Sequence, residues 1–458
     1  LRVVFEEVSG KNLAWFFDDV IKTTKQLDYS IIGIKKETKD LFITLENKGE
    51  IAGPVVISGV KDGKSITPLW TEGFEGKKTI RYVNGDYDHV RIDYNGDMPE
   101  TNRNNNIYKI KGLFKQCEPL KLQIFGSMYH AEKTQIFFHP MVNYNVYNRY
   151  CFGLSFYNRF LQKEGFSYKI TPMYSNGSKG ISGSLNLTYS KFNQQSSIFN
   201  YRISVDAKKA LYNYRKEYVR FEPKINITLK KSSLRSKINN YISASYVHLE
   251  KEEETLGFIK GRYTYSNAKT LNPYSVHMQI EKGDEYTKAN VIVNYNHHLS
   301  KKKRLTVRGY FGFVKTDNTD YNIKMSAWNG EDDYMLSEKA LVRDNKNIND
   351  MAYSQQLFIR EGGLKHITND SLNSNNILST ISTEYNLTNR FRLYIEAGTN
   401  GKDYAYGGGL RLPMLSNMFA IYLPIYTEGG IEKFDKSYKE RIRFSMNINL
   451  ALLTKAIQ

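Results

Sequence analysis

The later part of this chain alternates apolar and polar residues with a period of two, and no other feature constrains its fold as much. Ile181, Leu185, Leu187 and Tyr189 share one parity, with Ser182, Ser184, Asn186, Thr188 and Ser190 on the other. Phe199, Tyr201, Ile203, Val205 and Ala207 alternate with Asn200, Arg202, Ser204 and Asp206. Phe221, Ile225, Ile227 and Leu229 alternate with Arg220, Glu222, Lys224, Asn226, Thr228 and Lys230. Leu305, Val307, Phe311 and Phe313 alternate with Thr306, Arg308 and Tyr310, and Ile442, Phe444, Met446, Ile448 and Leu450 with Arg441, Arg443, Ser445, Asn447 and Asn449. Successive side chains of a strand point to opposite faces, so each run has one apolar and one polar face. Such runs recur from Ile107 to the end with no helical period between them. Strands of soluble sheets are usually about 5–6 residues long, whereas a tilted strand needs about 9–11 to cross a bilayer. Strand length and number point to a large antiparallel transmembrane β-barrel over 107–458, of about 14–18 strands.

The connections fit that reading. Lys282-Gly283-Asp284 and Thr388-Asn389-Arg390 are tight, while the stretch from Lys315 to Tyr353 is long and polar. Short turns on one rim and long loops on the other are expected of outer-membrane barrels, and a closed barrel leaves no unpaired backbone in hydrocarbon. Among 458 residues, 35 are Tyr and 24 Phe. An interfacial girdle drawn from Tyr189, Tyr246, Tyr263, Tyr265, Tyr295 and Tyr394 accounts for much of that load. Inward-parity charges (Arg202, Arg220, Lys224, Arg308, Arg441 and Arg443) would line the lumen, either around an anion path or tied together in a plugged barrel. The net charge is +18. Its basic residues are spread along the chain, and the run Lys301 to Arg304 reads as a hairpin end, so nucleic acid is not expected as a partner. Cys117 and Cys151 permit one disulfide, with two separate thiols as the plainer reading, and neither has metal-ligand spacing.

The first hundred residues have a different texture. Leu1, Val4, Phe5 and Val8 fall on one helical face, and Asn12 can cap a second helix carrying Leu13, Phe16, Phe17, Val20 and Ile21. Residues 1–26 therefore read as the end of a larger helical body. The chain starts without Met or a leader pattern, as a processed or partial chain would. Five short β-like runs follow, at Tyr29–Ile34, Leu41–Glu46, Val55–Val60, Lys78–Val83 and His89–Asp93, separated by Gly-containing turns. They predict a small β-sandwich over 27–106 with Trp70 in its core, ending in a polar linker from Pro99 to Asn106.

Specific residues in this region resemble a known family. Phe5-Glu6-Glu7-Val8-Ser9-Gly10-Lys11-Asn12-Leu13 and Trp15-Phe16-Phe17-Asp18-Asp19, then Gly53-Pro54-Val55-Val56, Leu69-Trp70, Val90-Arg91-Ile92-Asp93, Pro99-Glu100, Asn102 and Asn104-Asn105-Asn106, resemble the segment after the catalytic helices in aminopeptidase N-like gluzincin peptidases. Tyr94 and Val20 depart from that pattern, standing where Pro and Trp are usual. The remainder resembles barrel tails fused to some peptidase-like proteins of Gram-negative outer membranes. That likeness is carried by Gln355-Gln356-Leu357-Phe358-Ile359-Arg360-Glu361-Gly362-Gly363, by Gly407-Gly408-Gly409-Leu410-Arg411-Leu412 and by Tyr422-Leu423-Pro424-Ile425-Tyr426.

A gluzincin site needs His-Glu-x-x-His plus a further Glu. The eight histidines, His89, His130, His139, His248, His277, His297, His298 and His366, contain no such pair. Catalytic, cofactor and metal residues are therefore all expected to be none in this chain, and any zinc would belong to an upstream module. The pair His297-His298 points to opposite faces of a strand. Glu250 to Glu254 and Glu331-Asp332-Asp333 read as solvated loop charge rather than calcium ligands. Gly407-Gly408-Gly409 reads as barrel backbone, and Asp18-Asp19 as surface residues. The leading expectation is an outer-membrane barrel that anchors or accompanies a periplasmic aminopeptidase-like region, contacting outer-membrane lipid. The rivals are a non-enzymatic channel or accessory subunit working with other outer-membrane proteins, and a secreted β-rich adhesin.

Overall fold

In the computed structural model the described residues are 1–112, 114–116, 118, 120–127, 133–159, 165–193, 196–233, 235–300, 303–328, 333–343, 352–367, 369–388 and 390–446. Cys117, His130, Glu331, Asp332, Asn389 and residues 447–450 lie outside them. The chain divides into two compact units, Leu1–Phe138 with Asn158–Leu161, and His139–Tyr157 with Gln162–Gln458.

The first unit opens with a helix at Arg2–Ser9 and a wider helical turn at Trp15–Ile21. Asn12 Oδ1 accepts from the Ala14 amide, and Asp18 is ion-paired to Arg2 and Lys22. Two sheets follow. One orders Tyr29–Lys36, Asp40–Asn47 and Lys77–Val83; the other orders Lys64–Thr71, Val55–Lys61, His89–Ile92 and Ile107–Lys109. Alternate residues Leu41, Ile43 and Leu45 are buried together with Leu27, Tyr29, Ile31, Ile57, Val90 and Ile92. Two expectations fail here. Trp70 is 55% exposed, because Lys64–Thr71 is an edge strand whose residues are mostly exposed. The stretch Pro99 to Asn106 is no free linker. Glu100 accepts from the Tyr29 amide at 2.9 Å, Asn106 is buried, and Arg103 donates to the Gly96 and Met98 carbonyls. The buried Asp93 carboxylate, at a positive φ of 46°, accepts from the Asp97 and Met98 amides and so shapes the preceding turn.

The rest of the described chain is mainly β. Eighteen strand segments close into one barrel that runs in sequence order from Arg149–Tyr157 to Arg443–Met446, with Leu120–Ile124 and Thr134–Asn145, parallel to one another, completing the circle. The longest strand, Ile198–Asn213, has 16 residues. The register pairs Tyr189 with Ile203 and Ile203 with Ile225, and it pairs Ser190 with Arg202 and Arg202 with Asn226. The apolar parity thus forms a continuous outer band and the polar parity a continuous inner wall. Ile203 is 50% exposed and Ile181, Ile259, Ile381 and Ile395 are exposed with it, while Ser182, Ser190, Asn200 and Ser204 are buried.

Three details of the barrel depart from the sequence reading. Tyr394 is fully buried and faces inward, because it shares parity with Glu396 and Arg392. Arg441 lies in the turn before the strand Arg443–Met446, paired with Glu432 and Asp435, rather than on an inward strand position. Short and long connections also do not segregate by rim. Consecutive hairpins alternate between rims, so the turns at 283–285 and 387–391 lie on opposite ones. The short hairpins 214–215, 252–254, 283–285 and 400–403 share their rim with the long connection 317–376, while 415–418, as short as 400–403, lies on the other.

Candidate functional site: the lumen and its inserted loop

A barrel of 16–18 strands leaves an aqueous channel unless something fills it. Here the filling comes from the described residues of the connection 317–376, the loop between Arg304–Thr316 and Ile377–Asn386. Its apolar residues pack on inward-facing wall residues. Ile323, Met325, Leu364, Ile367 and Leu372 meet Tyr310, Val314, Leu378 and Ala405, while Met335 and Leu336 join Tyr218, Val247, Leu249 and Phe258. At this end the wall is apolar on its inner face as well, where the alternation alone implies polar residues.

Polar contacts fix the loop at several points. Arg308 donates to three successive carbonyls, of Arg360 at 2.5 Å, Glu361 at 2.7 Å and Gly362 at 2.9 Å. Gly363 has a φ of +75°, and a Cβ there would come within 3.1 Å of Arg308 Nη1, so a side chain is doubly disfavoured. Lys365 donates its backbone N–H to Glu396 Oε1 at 2.6 Å and its ammonium to Glu396 Oε2 at 2.8 Å and Ser382 Oγ at 3.0 Å; both residues are almost completely buried. Glu361 bridges Lys288 Nζ at 2.7 Å and the Lys324 amide at 2.6 Å. Arg220 reaches the Met335 carbonyl at 2.9 Å and pairs with Glu222 at 2.7 Å. The Arg443 guanidinium lies 4.2 Å from the Trp328 ring centre.

Within the loop, the buried Asp333 accepts from the amides of Ser337 and Glu338 and pairs with Arg343 and Arg360. Burial alone would raise its pKa, but the two guanidiniums and the amide donors outweigh that and hold it well below the usual carboxylate range. Between loop and wall remains a cavity of about 570 Å³, lined among others by Lys224, Lys260, Arg262, His277, Glu281 and Glu338.

Of the inward charges read from the sequence, Arg220, Arg308 and Arg443 hold the loop or abut it, and Lys224 lines the remaining cavity. Arg202 is inward by register and exposed. Lys365, Glu396 and Lys288 were not singled out from the sequence, and Glu361 stood there only within the stretch Gln355 to Gly363. Glu396 and Lys288 sit on the polar parity of their strands, the only signal either offered. His297 and His298 end a strand, with His297 beside Asn272. Gly407 to Gly409 lie inside the strand Tyr404–Met414. Cys151 is a buried thiol with Ser182 Oγ at 3.6 Å. No group of three or more His, Cys, Asp or Glu able to hold a metal occurs among the described residues.

No protein-family model matches the chain, and no curated protein does. The gluzincin resemblance of residues 1–106 therefore stands on those residues alone. Among solved structures the chain is similar to BamA from Haemophilus ducreyi lacking POTRA domains 1–3, at 10% identity and a TM-score of 0.39 over 68% of this chain and 70% of that one. It is also similar to CdiB from Acinetobacter baumannii, at 10% identity and a TM-score of 0.27 over 62% and 55%.

Proposed function

We propose that this chain is an outer-membrane β-barrel, without catalytic residues of its own, whose lumen is held shut by its own loop 317–376. The carrying observation is the buried Lys365–Glu396 pair, which ties loop to wall inside a cylinder that is apolar outside. Long loops of such barrels face outward, so the rim bearing 317–376 is assigned to the cell surface and the opposite rim to the periplasm. A plugged barrel serves as an accessory of a larger outer-membrane assembly, or as a gated path, better than as a standing diffusion pore.

Planar-bilayer recording tests this. The wild type is expected to stay closed, and Glu396→Gln, which strands a buried ammonium, to open in bursts. A steady wide-pore conductance from the wild type would refute the closed lumen. The domain limits 1–26, 27–106 and 107–458 belong to the same proposal. A second reading, that the barrel accompanies a peptidase-like body through the sandwich, is favoured by the two-sheet unit following short helices. It predicts a His-Glu-x-x-His segment upstream in the parent protein.

A further inference from the structure

The two rims differ in charge. On the rim opposite the long loop, six connections, 193–197, 230–237, 268–273, 299–303, 387–391 and 415–418, contain no Asp or Glu in their sequence, and 158–164 sets one acid, Glu164, against Arg159 and Lys163. One of them carries Lys230, Lys231, Arg235 and Lys237, and three others carry Lys269, Lys303 and Arg390. The loop rim instead exposes Glu252, Glu253, Glu254, Asp284, Glu285 and Asp317, interspersed with the exposed Lys179, Arg215 and Lys402. Just inside the basic rim the outer face is aromatic, with Tyr201, Tyr263, Tyr265, Tyr274 and Tyr295 at the strand ends. Lys303 bridges the two layers, its ammonium 5.5 Å from the Tyr385 ring centre and 2.7 Å from the Leu387 carbonyl.

An open cleft of about 580 Å³ lies on this rim between 196–197 and 229–240. Ser196, Ser197, Ser232 and Ser236 supply hydroxyls, Lys230 and Lys231 supply ammonium groups, and Leu229 and Ile238 supply an apolar floor. Hydroxyls and cations over an apolar base suit a phosphate ester with a hydrocarbon tail. We infer that the basic rim binds anionic glycerophospholipid headgroups, with the cleft at 196–240 as its principal site. The lipid class follows from the orientation proposed above, which turns this rim to the phospholipid leaflet.

Lipid retention by the purified full chain tests the inference. Detergent micelles doped with phosphatidylglycerol, phosphatidylcholine or lipid A are offered, and bound lipid is counted after gel filtration. Phosphatidylglycerol should be retained over phosphatidylcholine, with a preference that falls about fivefold per lysine neutralised at low salt in K230Q/K231Q/K237Q. K230R/K231R/K237R should restore it, and E252Q/E253Q/E254Q on the other rim should leave it unchanged. Equal retention of the two phospholipids, a preference kept by the glutamine variant, or stronger retention of lipid A would each overturn the inference. The orientation fails separately. Labelling of S232C on intact cells by an impermeant maleimide, above the parent chain's background, would invert the barrel while the micelle ratio still judged the cleft.

Discussion

At the scale of single residues, the barrel is governed by which face a side chain occupies. Ile203 and Arg202 are neighbours in sequence, yet one faces outward and the other the lumen. Ile203→Arg is expected to cost about 2–4 kcal/mol if it lies near the midplane, and Arg202→Ala little, as read from unfolding in detergent or liposomes. Similar costs for both would mean the register is wrong by one. Gly409 shows a tighter constraint: a Cβ there would lie 2.0 Å from the Leu423 carbonyl and 2.8 Å from the Tyr394 hydroxyl. Gly409→Val should therefore lower the heat-induced unfolding temperature of the barrel, while Gly309→Ala, with no atom near its would-be Cβ, should leave it almost unchanged. These residues also show what the sequence carried. Ile203 was legible because lipid demands the same chemistry at every outward position. Tyr394 was misread because aromatics occur on both faces, and only the parity of Glu396 reveals its side. Trp70 was misread because a run of apolar residues does not tell an edge strand from a central one.

At the scale of elements, the loop and the sandwich respond to different variables. Asp333 organises the loop's own turn through two amides and two guanidiniums. Asp333→Asn should loosen the loop and cost about 3–5 kcal/mol, since it leaves buried cations short of a partner; limited proteolysis between 317 and 376 would report it. In the sandwich, burial pushes the Glu100 carboxyl up to about 7 despite bonds from the Tyr29 amide and Asn106. Its ordinary value is 4.5, so the folded state favours the protonated form. That stabilisation is complete below about 4.5 and is lost as pH rises through about 7, a span worth at most about 3 kcal/mol. Denaturant midpoints should fall over that window in the wild type and stay flat in Glu100→Gln. The strands were legible from their period. The loop was not, because its partners Arg308, Lys288 and Glu396 lie on separate strands, and a mostly polar stretch does not announce that it folds inward.

At the scale of the whole molecule, the closed circle of strands and its filled lumen act together. The wall supplies Lys288, Arg308 and Glu396, and the loop supplies Glu361, three carbonyls and Lys365. Opening the lumen thus requires several buried contacts to break at once, so gating should be steep rather than graded. Glu396→Gln and Arg308→Ala should each raise open probability, and the double variant by less than the product of the two, because both act on one loop. Equal and independent effects would mean that the loop does not move as one body.

The brevity of the hairpins at 214–215, 252–254, 283–285 and 400–403 has a consequence for the bacterium's exterior. With that rim outermost, these stubs would barely clear the sugar coat around them. An antibody or phage seeking this protein on living cells would find little to grip on these four hairpins, which present carboxylates at Glu252 to Glu254 and at Asp284-Glu285, and a guanidinium at Arg215.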